Sequence, residues 1–288
     1  MTKEQVRHIL EENNISVKKH FGQNFLLDTN VLEKIVRSSK ITEKVGIVEI
    51  GPGLGSLTTY LSKAATKVLC YEIDQEMVEQ LQKQNYPNVT IIHDDFLKRN
   101  VCHDLEEHFG KKDVYIIANL PYYITTPILL KVLEETATVK KMIVMMQKEV
   151  AKRICGKPST KDYNSLSVLI QYFTSPKLLF DVSPNSFYPS PLVDSSVVEI
   201  EYKEKIDHPA FNKEYFLNFN RAIFARRRKT LLNNLQKAYP YDKDAIIQIL
   251  KQENIKEDIR SEALSVEQII DLANLFYQTF EKNNGPKE

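Results

Sequence analysis

Apolar positions in the N-terminal two-thirds of the chain follow two alternating patterns. Val6, Ile9 and Leu10 recur at helical spacing, as do Val31, Leu32, Ile35 and Val36. A short apolar run, Ile47 to Ile50, stops at a glycine cluster, and further strand-like runs follow at Val68–Ile73, Val89–His93, Val114–Asn119 and Met142–Met146. Helical stretches separate them at Leu57–Ala64, Asp74–Asn85 and Thr126–Glu135. Strand runs this apolar, alternating with helices, predict a parallel sheet covered on both faces. Near Phe180 and at Val197–Tyr202 two more strand runs lack a long helix between them, which predicts a hairpin closing the sheet edge.

Beyond about Lys205 the pattern changes. Phe211–Phe224, Thr230–Tyr239, Asp244–Gln252 and Val266–Phe280 all read as helices, the last opened by a capping box of Ser265 and Gln268. The expected division is a first domain over 1–204 and a small all-helical domain over 205–288. The segment Asn283–Glu288 is expected to fray.

Composition narrows the class. With 42% hydrophobic and 27% charged residues among 288, the chain is an ordinary globular protein, and disorder over most of its length is excluded. The longest uncharged run, Val114 to Leu130, carries Asn119, Pro121 and Pro127, so no membrane-spanning helix is expected. The charged N-terminal stretch is expected to be neither signal peptide nor anchor. Three widely spaced cysteines, Cys70, Cys102 and Cys155, give no disulfide framework, which fits a cytoplasmic protein. Cys102, His103 and His108 are the nearest thing to a ligand cluster and read better as a polar helix, so no metal is expected. The 39 basic residues nearly balance 38 acidic ones, yet the charge is unevenly placed. Seven Lys/Arg stand against Glu149 alone between Lys140 and Lys161, and five against none between Arg221 and Lys229.

Three of the eight glycines, Gly51, Gly53 and Gly55, lie between a strand run and a helix. Such a turn brings bare backbone close to a ligand. Glu72, ending the next strand run, suits the two hydroxyls of a ribose. The spacing is GxGxG, without the third glycine of the dinucleotide fingerprint. That favours a ligand lacking a pyrophosphate, with S-adenosylmethionine the obvious candidate and NAD(P) the rival. Asp95, ending the third strand run, is placed to accept from an adenine amino group, with Phe96 against the ring. A surface aspartate in a loop is an equally simple account of it.

Asn119-Leu120-Pro121-Tyr122 ends the fourth strand run, on the edge where open α/β sheets bind ligands. Its chemistry suits methylation of an exocyclic amine. That nitrogen is a poor nucleophile, because its lone pair is delocalised into the ring. The Asn119 amide oxygen and the Leu120 carbonyl, steadied by Pro121, can accept its hydrogen bonds and localise the pair. Tyr122 offers a stacking surface for a base taken out of its helix.

With these motifs the sequence resembles the ribosomal RNA adenine N6-dimethyltransferase family over nearly its whole length, most closely the branch that dimethylates two adjacent adenines near the 3′ end of small-subunit 16S rRNA. The resemblance implies a Rossmann-like, class I S-adenosylmethionine-dependent methyltransferase sheet with a small C-terminal all-helical domain that binds rRNA. Lys19-His20-Phe21-Gly22-Gln23-Asn24-Phe25-Leu26 is similar to the family's N-terminal motif, which implies that Asn24 and Leu26 contact the cofactor alongside Gly51, Gly53, Glu72, Asp95 and Asn119. Ser186-Phe187-Tyr188-Pro189-Ser190-Pro191 resembles the loop whose aromatic covers the second face of the target base, which pairs Phe187 with Tyr122. Asn220–Leu231 resembles the basic segment opening the helical domain. Arg221, Arg226, Arg227, Arg228 and Lys229, interleaved with Phe219 and Phe224, are the expected phosphate contacts. Lys148, Lys152 and Arg153 form a second expected patch, on one helix face with Lys157. The Erm group, acting on large-subunit rRNA, is the rival within the family, and a mainly structural small-subunit assembly factor is the alternative class. The resemblance also implies a monomer acting on a ribosomal subunit.

Overall fold

The computed structural model describes residues 2–13, 15–16, 23–136 and 138–281. Lys19 to Gly22 of the N-terminal motif and the 283–288 tail lie outside the described residues. The chain divides into two compact units, one formed by Met1–Ala151 and Pro176–Tyr202, the other by Lys152–Ser175 and Lys203–Glu288.

The first unit is built on a seven-stranded sheet. Its strands are β2 (Gly46–Ile50), β3 (Val68–Glu72), β4 (Val89–His93), β5 (Val114–Asn119), β6 (Val139–Gln147), β7 (Thr174–Val182) and β9 (Ser195–Tyr202), in the order β4-β3-β2-β5-β6-β9-β7. Pairing is parallel from β4 through β6, and β9 runs antiparallel to β6. Two short strands, β1 (Phe25–Leu26) and β8 (Phe187–Tyr188), pair antiparallel beside it. The expected edge hairpin is present as β7 and β9, with β9 inserted next to β6 and β7 outermost.

Apolar sequence sets these elements. β2 and β3 are buried at every position, as strands covered on both faces must be. On one face Ile47, Val68, Ile117, Ile143 and Val197 pack with Leu32 and Ile35 of α2 (Thr29–Ser39) and Leu57 and Leu61 of α3 (Ser56–Ala64). Helix starts are capped locally: Asp28 accepts from Asn30 N and Val31 N before α2, and Asp74 from Glu76 N before α4 (Gln75–Lys83). Asn100 caps α5 (Val101–Phe109), the polar helix that carries Cys102, His103 and His108. β2 pairs with β3 on one side and β5 on the other. The strand order therefore reverses between β2 and β5, and a crevice opens at their carboxyl ends.

The second unit is helical: α8 (Ser165–Phe173), α9 (Lys213–Ile223), α10 (Leu231–Ala238), α11 (Lys243–Gln252) and α12 (Val266–Phe276). Its core holds Phe216, Phe219, Leu235, Ile249, Ile269 and Phe276 with Tyr163, Val168 and Tyr172. Those last three residues explain why 152–175 belongs here and why one cut near 204 does not describe the division. α12 opens with the expected capping box, Gln268 N to Ser265 Oγ at 3.2 Å and Ser265 N to Gln268 Oε1 at 2.9 Å. Its α-helical part ends at Phe276 and continues as a π-helix over Tyr277–Glu281, so the helical run covers the expected end at Phe280.

Candidate active site

The crevice between β2 and β5 is shaped first by its glycines. Gly51, Gly53 and Gly55 have φ of 69°, 57° and 81°, values that side chains disfavour. A Cβ on Gly53 would stand 3.1 Å from the Phe25 ring. Gly53 N donates to Glu72 Oε2 and Asp74 N to Glu72 Oε1, both at 2.9 Å. Each carboxylate oxygen of Glu72 thus holds one backbone donor and keeps acceptor capacity for a ligand. Burial pushes the Glu72 carboxyl up, helped by the nearby Asp74 charge, and the backbone N–H groups of Asp74, Gly53 and Ile73 act against that shift.

Asp95 caps the short turn Phe96–Lys98 through Leu97 N at 3.0 Å, and Phe96 lies buried, edge-to-face with Tyr71 at 5.1 Å. From the β5 side, Asn119 Nδ2 donates to the Asn24 carbonyl at 3.1 Å. That bond orients the amide and leaves Oδ1 as its acceptor. Leu120 N donates to Met145 O at 3.0 Å, fixing the strand end against β6. Pro121 O accepts from Thr125 Oγ1 at 3.0 Å, which ties the following turn down. The Tyr122 hydroxyl shares a 2.6 Å hydrogen bond with Ser195 Oγ at the start of β9, so the ring is held from its far end. Burial raises the pKa of this phenol, and it stays neutral in the physiological range.

One pocket therefore gathers Asn24, Leu26, Gly51, Gly53, Glu72, Asp95 and Asn119 with Leu120, Pro121 and Tyr122. Phe187 is not among its lining residues. In the two-residue strand β8, Phe187 pairs with Leu26 and turns into the core beside Leu32, Val182 and Val197, with 2% of its surface exposed. Alternation along a strand sends neighbouring side chains to opposite faces, and here the core takes the aromatic. The structure thus places the Phe187 ring in the core and Tyr122 on the pocket wall.

Sequence reasoning missed several residues of this wall. Glu49, one residue before Ile50 in β2, lines the pocket and is buried. Its Oε2 accepts from Thr58 Oγ1 at 2.7 Å and lies 3.8 Å from Cys70 Sγ, and burial pushes its pKa up to about 8. An acid inside an otherwise apolar strand run was the available signal. Ser56 Oγ, the first residue of α3, is buried with no partner among the described residues. Ile73 and Tyr123 also line the pocket and stay 40% and 51% exposed.

Of the expected RNA contacts, Arg221, Arg226, Arg228 and Lys229 are exposed, as is Arg227, whose guanidinium donates to the Lys161 carbonyl. Phe219 is buried and Phe224 half-buried, so the aromatics face in and the cations out. Lys152 and Arg153 are exposed. Lys148 differs: its Nζ lies 2.7 Å from Asp181 and 3.6 Å from Asp194, so two carboxylates already neutralise it. Among the described residues no group of three or more His, Cys, Asp or Glu could hold a metal, and no helix is long and apolar enough to cross a membrane.

A small-subunit rRNA methyltransferase A of Bacillus pumilus is 45% identical over 277 residues, covering 94% of this chain and 95% of the relative. That of Bacillus cytotoxicus is 46% identical over 279 residues, with coverage of 95% and 96%. Among solved structures, a dimethyladenosine transferase from Plasmodium falciparum superposes with a TM-score of 0.75 at 26% identity, covering 88% of this chain and 98% of that one. The 23S rRNA methyltransferase ErmE shares the fold, with a TM-score of 0.68 at 22% identity over 87% of this chain and 98% of that one. Residues 14–278 match the family model described as ribosomal RNA adenine dimethylase, and the chain belongs to that family of enzymes.

Proposed function

We propose that the chain transfers methyl groups from S-adenosylmethionine to N6 of two adjacent adenines near the 3′ end of 16S rRNA in the small ribosomal subunit. One observation carries this reading: the Asn119–Tyr122 segment and the glycine turn with Glu72 converge on a single pocket at the carboxyl edge of the sheet. The small-subunit names of the Bacillus relatives support the choice of RNA.

The residues present fit the cofactor. Gly51 and Gly53 offer backbone without Cβ, Glu72 keeps acceptor capacity on both oxygens, and Ser56 Oγ is a buried polar atom awaiting a partner. When bound, S-adenosylmethionine supplies an electrophilic methyl group on a sulfonium. Glu72 would hold the ribose hydroxyls, Asp95 the adenine amino group, and Asn24, Leu26, Gly51, Gly53 and Asn119 the remainder. For the target base, Asn119 Oδ1 and the Leu120 carbonyl accept the N6 hydrogens and turn the lone pair toward the methyl group. Tyr122 gives the ring its stacking face, and the hydrogen bond to Ser195 keeps that face from swinging away. No side chain must act as a strong base, because the methylated ammonium releases its proton readily. Positioning and fixed dipoles supply the acceleration. The exposed Arg221 and Arg226–Lys229 segment, with Lys152 and Arg153, would meet RNA phosphates.

The test is transfer of labelled methyl groups to unmethylated small subunits, with large-subunit rRNA in parallel. Label recovered as N6,N6-dimethyladenosine from the small subunit is the expected result. Label confined to large-subunit RNA refutes the proposed substrate.

A further inference from the structure

The loop between β8 and β9 carries the most exposed large apolar side chain among the described residues of the first unit. Leu192 is fully open to solvent at 101% of its reference surface, and Val193 beside it is 45% exposed. A single exposed leucine is ordinary. The anchoring of this one is not. Pro189 and Pro191 fix φ on the approach to the tip. On the far side the Asp194 carbonyl accepts from Lys148 N at 3.0 Å, and the Asp194 carboxylate lies 3.6 Å from Lys148 Nζ. The next residue, Ser195, holds the Tyr122 hydroxyl at 2.6 Å. Leu192 therefore stands three residues, at most about 10 Å of chain, from the group that fixes the pocket's stacking ring. Lys148 also compensates the charge of Asp181 and Asp194, which would otherwise repel an anionic partner from this loop.

A base that reacts at the end of β5 has to leave its stack, and its departure opens a gap between the two neighbouring bases. Proteins that distort nucleic acids fill such gaps with an apolar wedge. We propose that Leu192 is this wedge, occupying the place in the RNA stack vacated by the target adenine while Tyr122 receives the base. The inference rests on the adenine-methylating reading above and adds to it the residue that keeps the base out.

Single-turnover methyl transfer to unmethylated small subunits, at saturating protein, separates the outcomes for wild type, Leu192→Ala and Leu192→Met. Particle affinity is measured by filter binding and cofactor affinity by calorimetry. The expected result is a slowing of roughly tenfold or more for Leu192→Ala, with both affinities within about twofold of wild type, because the loss falls on the flipped state. Leu192→Met, which restores apolar bulk, recovers most of the rate. A rate for Leu192→Ala within about twofold of wild type overturns the wedge. So does a loss confined to particle affinity, which makes Leu192 a docking residue for a ribosomal protein. No transfer by the wild-type chain overturns the proposed function, and the wedge falls with it.

Discussion

Glu49 holds its carboxyl in an apolar strand, with Thr58 and Cys70 as its polar neighbours and Glu72 adding repulsion. Its pKa rises from 4.5 to about 8 in the folded chain. Between those values the folded chain keeps a proton that the unfolded chain has released. The stabilising contribution is therefore complete below pH 4.5 and is lost as pH rises toward 8, with a slope of at most about 1.4 kcal/mol per pH unit. Glu49→Gln should remove that part of the pH dependence in urea titrations from about pH 5 to 8.5, and an unchanged slope would refute the assignment. Tyr122 and Glu72 should part company in kinetics. Tyr122→Ala is expected to lower turnover by roughly ten- to a hundredfold with cofactor affinity nearly intact, while Glu72→Ala weakens cofactor binding first. Equal loss of turnover and affinity in Tyr122→Ala would mean that the ring supports the cofactor side instead. That Gly51, Glu72, Asp95 and Asn119 would gather in one pocket was legible because each stands at the end of a strand run as a chemically distinctive residue. The face taken by the Phe187 ring was not legible, because a two-residue strand gives no periodicity.

Among the elements, β2 and α5 meet closely at a glycine. A Cβ on Gly46 would meet the Phe109 ring at 2.4 to 2.7 Å, so glycine here is a packing requirement. Gly46→Ala should destabilise the fold by about 1–3 kcal/mol in denaturant titrations while leaving cofactor affinity close to wild type. A fall in affinity without a fall in stability would contradict that division of labour. Sequence patterning found the parallel strands and most helices, because two-sided burial and amphipathic spacing leave clear signatures. It passed over α8, whose run SLSVLIQYF is too uniformly apolar to show a period. The start of α8 was nonetheless encoded, in the reciprocal bonds between Asn164 and Ser167.

For the whole molecule, near-neutral net charge conceals an uneven surface. The 221–229 segment has no acidic residue and presents its cations to solvent. Replacing Arg226 and Arg228 with Gln should weaken small-subunit binding and reduce the slope of log affinity against log salt by roughly 0.7–0.9 for each phosphate no longer neutralised. Cofactor affinity should not change, and an unaltered salt slope would remove the segment from the RNA interface. The helical region was legible as a change of pattern near residue 205, but its full membership was not, since 152–175 joins it from the middle of the sequence. The chain passes from the first unit to the second at Ala151, returns at Pro176, and leaves again after Tyr202. Neither unit is therefore a continuous stretch of gene. A crossover between two relatives at any single point from 152 to 202 gives Tyr163, Val168 and Tyr172 one parent and Phe216 and Phe219 the other, or divides the central sheet. The two units must then diverge together, as one inherited piece, and cannot be shuffled as cassettes.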